Sequence, residues 1–172
     1  MKVDDILKAA LKDLKKYDDL LGTLDEEKLQ KTPAAGVWSY SEVYSHIFQV
    51  NLRCFIAIDR CAESSKSSSG KLQLSARIVL FLGMFPFRIK APAKIAAMVQ
   101  KITKDEAVVG IKKLEAKLIQ VASVVNSAPP NAKIEHPRLG MLNAVQWLRF
   151  IEIHNRHHLK QIKRLKKMLE KD

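Results

Sequence analysis

The sequence predicts an all-α fold, a four-helix bundle, and three observations carry that expectation. Apolar residues recur at helical spacing through four long stretches. No run shows the alternation of a half-buried strand, and no internal repeat is visible. Gly and Pro number six each and fall mostly between the periodic stretches. Packing four amphipathic helices on one another is the simplest way to bury their apolar faces. A length of 172 residues suits one domain spanning 1–172, and 47% hydrophobic residues can supply its core.

The first helix is expected over residues 3–22, with Val3, Ile6, Leu7, Ala10, Leu14, Leu20 and Leu21 on its apolar face. LDEEKLQ reads as a short extra turn capped by Asp25, and TPAAGVW as a loop. Ser39 and Glu42 fit a capping box that opens the second helix, which runs to about Ala62. Apolar residues lie almost all round that helix, which predicts cover on more than one side, from the following segment or a second subunit. SSKSSSGK, residues 64–71, reads as a linker. Residues 72–101, broken by Pro86 and Pro92, form a helical insertion between the second and third helices. It is expected to act as core packing or a lid, with membrane-surface contact a weaker reading. The third long helix begins after Thr103 or Lys104 and ends near Asn126. A proline-rich connection leads to the last helix, expected from Met141 to Leu169.

The formal charge is +12. The surplus is spread, with eight Lys/Arg against three acids in residues 149–172 and fifteen against seven in residues 41–148. Solvated helix faces explain it better than a nucleic-acid surface, for which no recognisable motif is present. The N-terminus is charged and amphipathic, unlike a signal peptide, and IVLFLGMFPF is shorter than the roughly 20 residues of a transmembrane helix. The two cysteines, Cys54 and Cys61, lie seven apart on one helix, about 10 Å along its axis, too far for a disulfide. A cytoplasmic protein in a reducing compartment is expected.

His154 and His158 carry the chemistry. At i and i+4 on a helix their imidazoles stack on one face. That face also holds Asn143, Trp147, Phe150, Ile151, Gln161 and Leu165, all within about 60° of His154, so the pair points into the core. Arg149, Glu152, Arg156, Lys160, Lys163 and Lys167 fall on the far side. His157 lies at the edge of the stripe and reads as a boundary residue. Two adjacent buried imidazoles need partners for their nitrogens, and either a metal or a network with Gln161 and Asn143 would serve. On the second helix His46 shares a face with Val43, Val50, Arg53 and Ala57, with Glu42 and Gln49 at the margin. Arg53 reads equally as a salt-bridge partner or an anion-binding group, and Glu42 as a cap.

The ordered set Trp38-Ser39-x-x-Glu42-x-x-x-His46, then Gln146-Trp147-Leu148, then His154-x-x-x-His158-x-x-Gln161 resembles the DinB-like (DinB/YfiT) superfamily of metalloenzymes. The resemblance covers most of the chain. It implies an up-down-down-up bundle with long crossovers and a divalent metal, nickel or zinc, held by His46, His154 and His158, with Gln161 beside the site. It also implies a homodimer. Acidic positions often found after the helix-two histidine are Gln49 and Asn51 here, which leaves the pocket charge open.

Three neutral imidazoles leave positions open on an ion that keeps its Lewis acidity. The resemblance therefore implies a small-molecule substrate and, first, transfer of a low-molecular-weight thiol to small electrophiles, with Arg53 a candidate for an acidic group of the cosubstrate. A metal-dependent hydrolase of small molecules is the second enzyme reading, and it lacks an evident inward general base beyond Glu42. A non-catalytic stress or binding protein of the same fold is the alternative from another class.

Overall fold

Capping chemistry sets where three of the long helices start. The structure, a computed structural model, describes residues 2–64, 70–86 and 93–170. α1 spans Val3–Thr23, and the short α2, Glu26–Gln30, follows with Asp25 accepting from the Lys28 amide. α3, Tyr40–Glu63, opens on the predicted box: Glu42 accepts from the Ser39 amide at 2.8 Å. The same device opens α6, Lys104–Ser127, through Thr103 and Glu106, and α7, Ala144–Leu169, through Asn143 and Gln146. Each box satisfies backbone amides that a helix start leaves without partners. Between α3 and α6 lie α4, Leu74–Leu82, and α5, Ala93–Ala96.

The four long helices form a square in which α1 and α3 each pack against both α6 and α7. Residue pairs fix their directions. The Tyr44 hydroxyl near the start of α3 donates to the Tyr17 carbonyl near the end of α1, so these two run oppositely. Asn51 of α3 meets Asn155 of α7, whereas Cys61 near the end of α3 reaches Leu142 just before α7, so α3 and α7 are antiparallel. The Ile102 amide donates to Ser41 Oγ, which puts the starts of α6 and α3 at one end. The order is therefore up-down-down-up. Residues 64–103 form the long crossover that this order requires.

Two expectations need correction. The proline-rich connection contains a hairpin, β1 (Lys133–His136) paired antiparallel with β2 (Gly140–Asn143), so α7 starts at Ala144 rather than Met141. Leu72 and Gln73 complete the hairpin from far upstream: Gly140 bridges Leu72, and the Gln73 amide donates to the Leu139 carbonyl. Gly140 has φ +76°, and a Cβ there would collide with the Lys71 carbonyl, so glycine is required twice over. The side of α7 expected to face water is also covered in its first half. Glu152 is fully buried, paired with Arg149 and with Arg156 at 2.9 Å. α1 and α4 pack there, and the Arg156 guanidinium donates to the Gly83 carbonyl at the left-handed end of α4. The predicted cover of α3 is partial, because Leu52 and Ile56 remain exposed. Residues 65–69 of the expected linker and 87–92 of the insertion lie outside the described residues. No helix among the described residues is long and apolar enough to cross a membrane.

Candidate metal centre

The antiparallel seam of α3 and α7 decides which side chains meet. His46 stands two turns into α3, and His154 and His158 stand one turn apart on the facing side of α7. Their Nε2 atoms converge, with His46 to His154 at 3.2 Å and His158 to His154 at 3.1 Å. Each residue keeps only 5–7% of its surface exposed, so the cluster is almost but not wholly enclosed. The Trp38 ring lies 5.0 Å from the His46 ring, and Phe150 lies 5.6 Å from His154.

Hydrogen bonding alone does not satisfy this arrangement. The His158 Nδ1–H donates to Gln161 Oε1 at 2.7 Å, which leaves His158 Nε2 as a bare acceptor. If His154 Nε2 carries the proton that His158 can accept, it has no lone pair left for a proton from His46. The Nδ1 atoms of His46 and His154 are buried with no hydrogen-bond partner among the described residues. An ion shared by the Nε2 atoms would leave both as N–H groups, so the Nε2 atoms alone call for it. Imidazole nitrogens that share one divalent ion at roughly 2.0–2.1 Å stand about 3–3.4 Å apart, so the two spacings fit a common ion.

The electrostatics favour the neutral donors that a metal needs. Burial pushes His46 down to about 4, with His157 adding to the effect. Burial pushes His158 down to about 3, helped by His46 and opposed by the bond to Gln161. His154 is lowered as well, by burial first and then by its histidine neighbours. At neutral pH all three therefore offer lone pairs. The cluster found among the described residues contains no carboxylate and no thiol.

The other sequence candidates are placed around this centre. Gln161 touches it through His158. Glu42 is occupied by the Ser39 cap. Gln49 donates to the Met98 carbonyl at 2.9 Å and to Ser45. Arg53 is exposed, its Nη2 3.0 Å from Met98 Sδ, and is not brought into the cluster. His157 is not one of the converging three but lies edge-on to both His158 and Phe85, each at 5.2 Å, and lines a cleft of about 160 Å³ with Met84, Ile153, Arg156 and Lys160. Asn143 caps α7 at its far end and takes no part.

Sequence reasoning missed two neighbours. His136 of β1 meets Phe150 edge-on at 4.8 Å, and Phe150 in turn packs on His154, so the hairpin buttresses the site. Asn51 and Asn155 exchange amide hydrogen bonds at 2.8 and 3.3 Å within the same seam, both fully buried. Their signal was a pair of amides adjoining otherwise apolar faces, which shows only once the two helices are aligned.

An up-down-down-up bundle carrying three converging imidazoles on its second and fourth long helices defines a class of helix-bundle proteins with a metal-ligating donor set. The family model of the DinB superfamily matches residues 11–162, and the chain belongs to that superfamily. It is similar to the uncharacterized protein YuaE of Bacillus subtilis (strain 168), 23% identical over 158 residues, covering 92% of this chain and 94% of that protein. Among solved structures, the fold resembles YfiT from Bacillus subtilis, described as a probable metal-dependent hydrolase with an unusual four-helix bundle topology. That likeness has a TM-score of 0.69 at 12% identity and covers 98% of this chain and 88% of YfiT. The four-helix bundle protein TT2238 matches with a TM-score of 0.51 at 22% identity, covering 94% of this chain and 98% of TT2238.

Proposed function

We propose that this chain is a metal-dependent enzyme in which His46, His154 and His158 hold one divalent ion, nickel or zinc, and that it transfers a low-molecular-weight thiol to a small electrophile. The single observation behind the metal is the convergence of three neutral Nε2 atoms that hydrogen bonding cannot satisfy. Gln161 fixes the His158 tautomer by accepting from Nδ1, which turns the Nε2 lone pair toward the centre. Trp38 and Phe150 flank the imidazoles and restrict water. When bound, the ion supplies Lewis acidity toward a thiol or water brought to its open side.

The donor set favours thiol transfer over hydrolysis. A thiol needs only to lose its proton to become a nucleophile, and its ordinary pKa of about 8.5 makes that loss easy. Attack forms the sulfur–carbon bond as the electrophile's leaving group departs, and the thiol proton goes to solvent. Hydrolysis gains from a carboxylate base, and the cluster has none. It stands as the second reading because YfiT is described as a probable metal-dependent hydrolase. The test is a panel of cellular thiols with a chromogenic electrophile, using protein purified without a histidine tag. Metal-dependent turnover that requires the thiol is expected. Metal-dependent cleavage of esters or amides without thiol would select hydrolysis. Turnover equal to that of metal-stripped protein in both assays would remove the enzyme reading.

A further inference from the structure

The crossover helix α4 carries apolar side chains on two sides, and only one of them is used. Ala76 and Val79 are buried where α4 packs against α7. Leu74, Ile78, Phe81 and Leu82 follow at i, i+4, i+7 and i+8, which places them in one stripe on the opposite side. They are exposed by 73%, 44%, 88% and 51%, and Met84 just beyond the helix by 43%. Single exposed leucines need no explanation, whereas an ordered row with a phenylalanine at its crest does.

The charge around the row identifies what would cover it. Among the described residues, the cations of the crossover next to the row are Lys71 and Arg77, and the sequence from residue 64 to residue 104 has no Asp or Glu. Arg77 stands at the margin of the stripe, about 60° from Leu74 around the helix, and is exposed. Lys71, just before the helix, is exposed as well. A second copy meeting this face in a two-fold contact would set the same cations against each other. The complement is an acidic surface with an apolar layer beneath it.

We propose that the outer face of α4 docks this protein on an anionic lipid surface, with Leu74, Ile78, Phe81 and Leu82 entering the headgroup–acyl boundary and Lys71 and Arg77 meeting lipid phosphates. α4 is a short surface helix. Its nine residues lie in the interface and do not span it. Attachment through so short a helix is reversible and weakens with salt.

The test is co-sedimentation of the full, metal-loaded chain with vesicles of phosphatidylglycerol or of phosphatidylcholine, at low and high salt. Binding to phosphatidylglycerol, little to phosphatidylcholine, and release by salt are expected. Phe81→Ser should weaken binding about tenfold, because it removes the largest inserted side chain. Its helicity and melting temperature should match the unsubstituted protein, since Phe81 contributes little to the folded interior. In Phe81→Trp, emission should shift to the blue on binding and be quenched by brominated acyl chains. No binding to phosphatidylglycerol, or equal binding by Phe81→Ser, overturns the proposal. So does an unquenched Phe81→Trp. Phe81-dependent binding to polyglutamate but not to vesicles would assign the face to an acidic protein instead. A dimer that Phe81→Ser converts to monomer, without vesicle binding, would assign it to a second copy.

Discussion

Two buried polar clusters share the α3–α7 seam, and they differ in how far they close on themselves. Asn51 and Asn155 exchange hydrogen bonds, Asn51 also donates to the Ile47 carbonyl, and the Tyr17 hydroxyl donates to the Asn155 carbonyl. Each side-chain amide nitrogen and oxygen there has a partner, and the result ties α1, α3 and α7 together. The neighbouring cluster of His46, His154 and His158 aims three Nε2 atoms at one another, and hydrogen bonds cannot pair all three. A satisfied network rigidifies, whereas an unsatisfied one costs stability unless something completes it. The closed cluster thus serves the scaffold, and the open one is the cluster to which the proposed function assigns a metal ion.

The largest effect that sharpens this contrast is on metal content. His154→Ala removes the nitrogen that both other histidines face, and bound metal should fall from near one per chain to background. Asn51→Ala should keep full metal content. Metal content unchanged in both His154→Ala and His46→Ala, measured by elemental analysis, would break the contrast at its centre. The next effect is on stability. Asn51→Ala leaves the buried Asn155 amide half-paired, which should cost about 1–3 kcal/mol and lower the melting temperature by several degrees. Replacing both asparagines by leucine should recover much of that loss, as expected when no buried polar group is left unpaired. No loss in the single variant would mean that the closed cluster holds nothing together.

The same contrast explains what could be read in the sequence. The box of Ser39 and Glu42 was legible because capping is local, decided within four residues. The inward face of His154 and His158 was legible because a helix has a fixed period. A helical wheel gives directions and not neighbours, however. Glu152 points away from the histidines as expected, yet it is fully buried, because α1 and α4 arrive on that side. The hairpin was illegible because its strands are four residues each, Pro137 sits at its turn, and Leu72 and Gln73 complete it from about 70 residues upstream. His46 could be assigned to the pair only through the family resemblance, since no local pattern states which residue of α3 will face α7.

A smaller effect probes the hairpin that supports the open cluster. Burial pushes His136 down to about 4, with its own backbone opposing and Arg138 adding to the shift. The sign follows from proton counting. Between about 6.5 and about 4 the unfolded chain protonates this imidazole while the folded chain keeps it neutral, so stability falls as pH drops through that window. His136→Phe retains the ring contacts with Trp147 and Phe150 and removes the titration. Its melting temperature should fall less steeply with acid than that of the unsubstituted protein. Parallel curves would show that His136 is not held neutral by the fold.

The smallest expected effect concerns the thiols on α3, which lie further along the helix than either cluster and belong to neither. Burial raises the Cys54 thiol above its ordinary range, and it raises Cys61 as well, against an opposing backbone hydrogen bond at Ile134. A raised thiol pKa means almost no thiolate at neutral pH, and buried sulfur is out of reach of solutes. Neither cysteine is among the three residues that converge at the centre. The folded protein should therefore react with a thiol reagent only on the timescale of its unfolding, and both thiols should react at once in denaturant. Cys54→Ala and Cys61→Ala should keep metal content and any thiol-dependent turnover within about twofold, while lowering stability as small cavities do. Turnover abolished by either substitution, with folding and metal intact, would mean that the chain supplies its own sulfur. The open cluster would then serve a protein thiol rather than a small one.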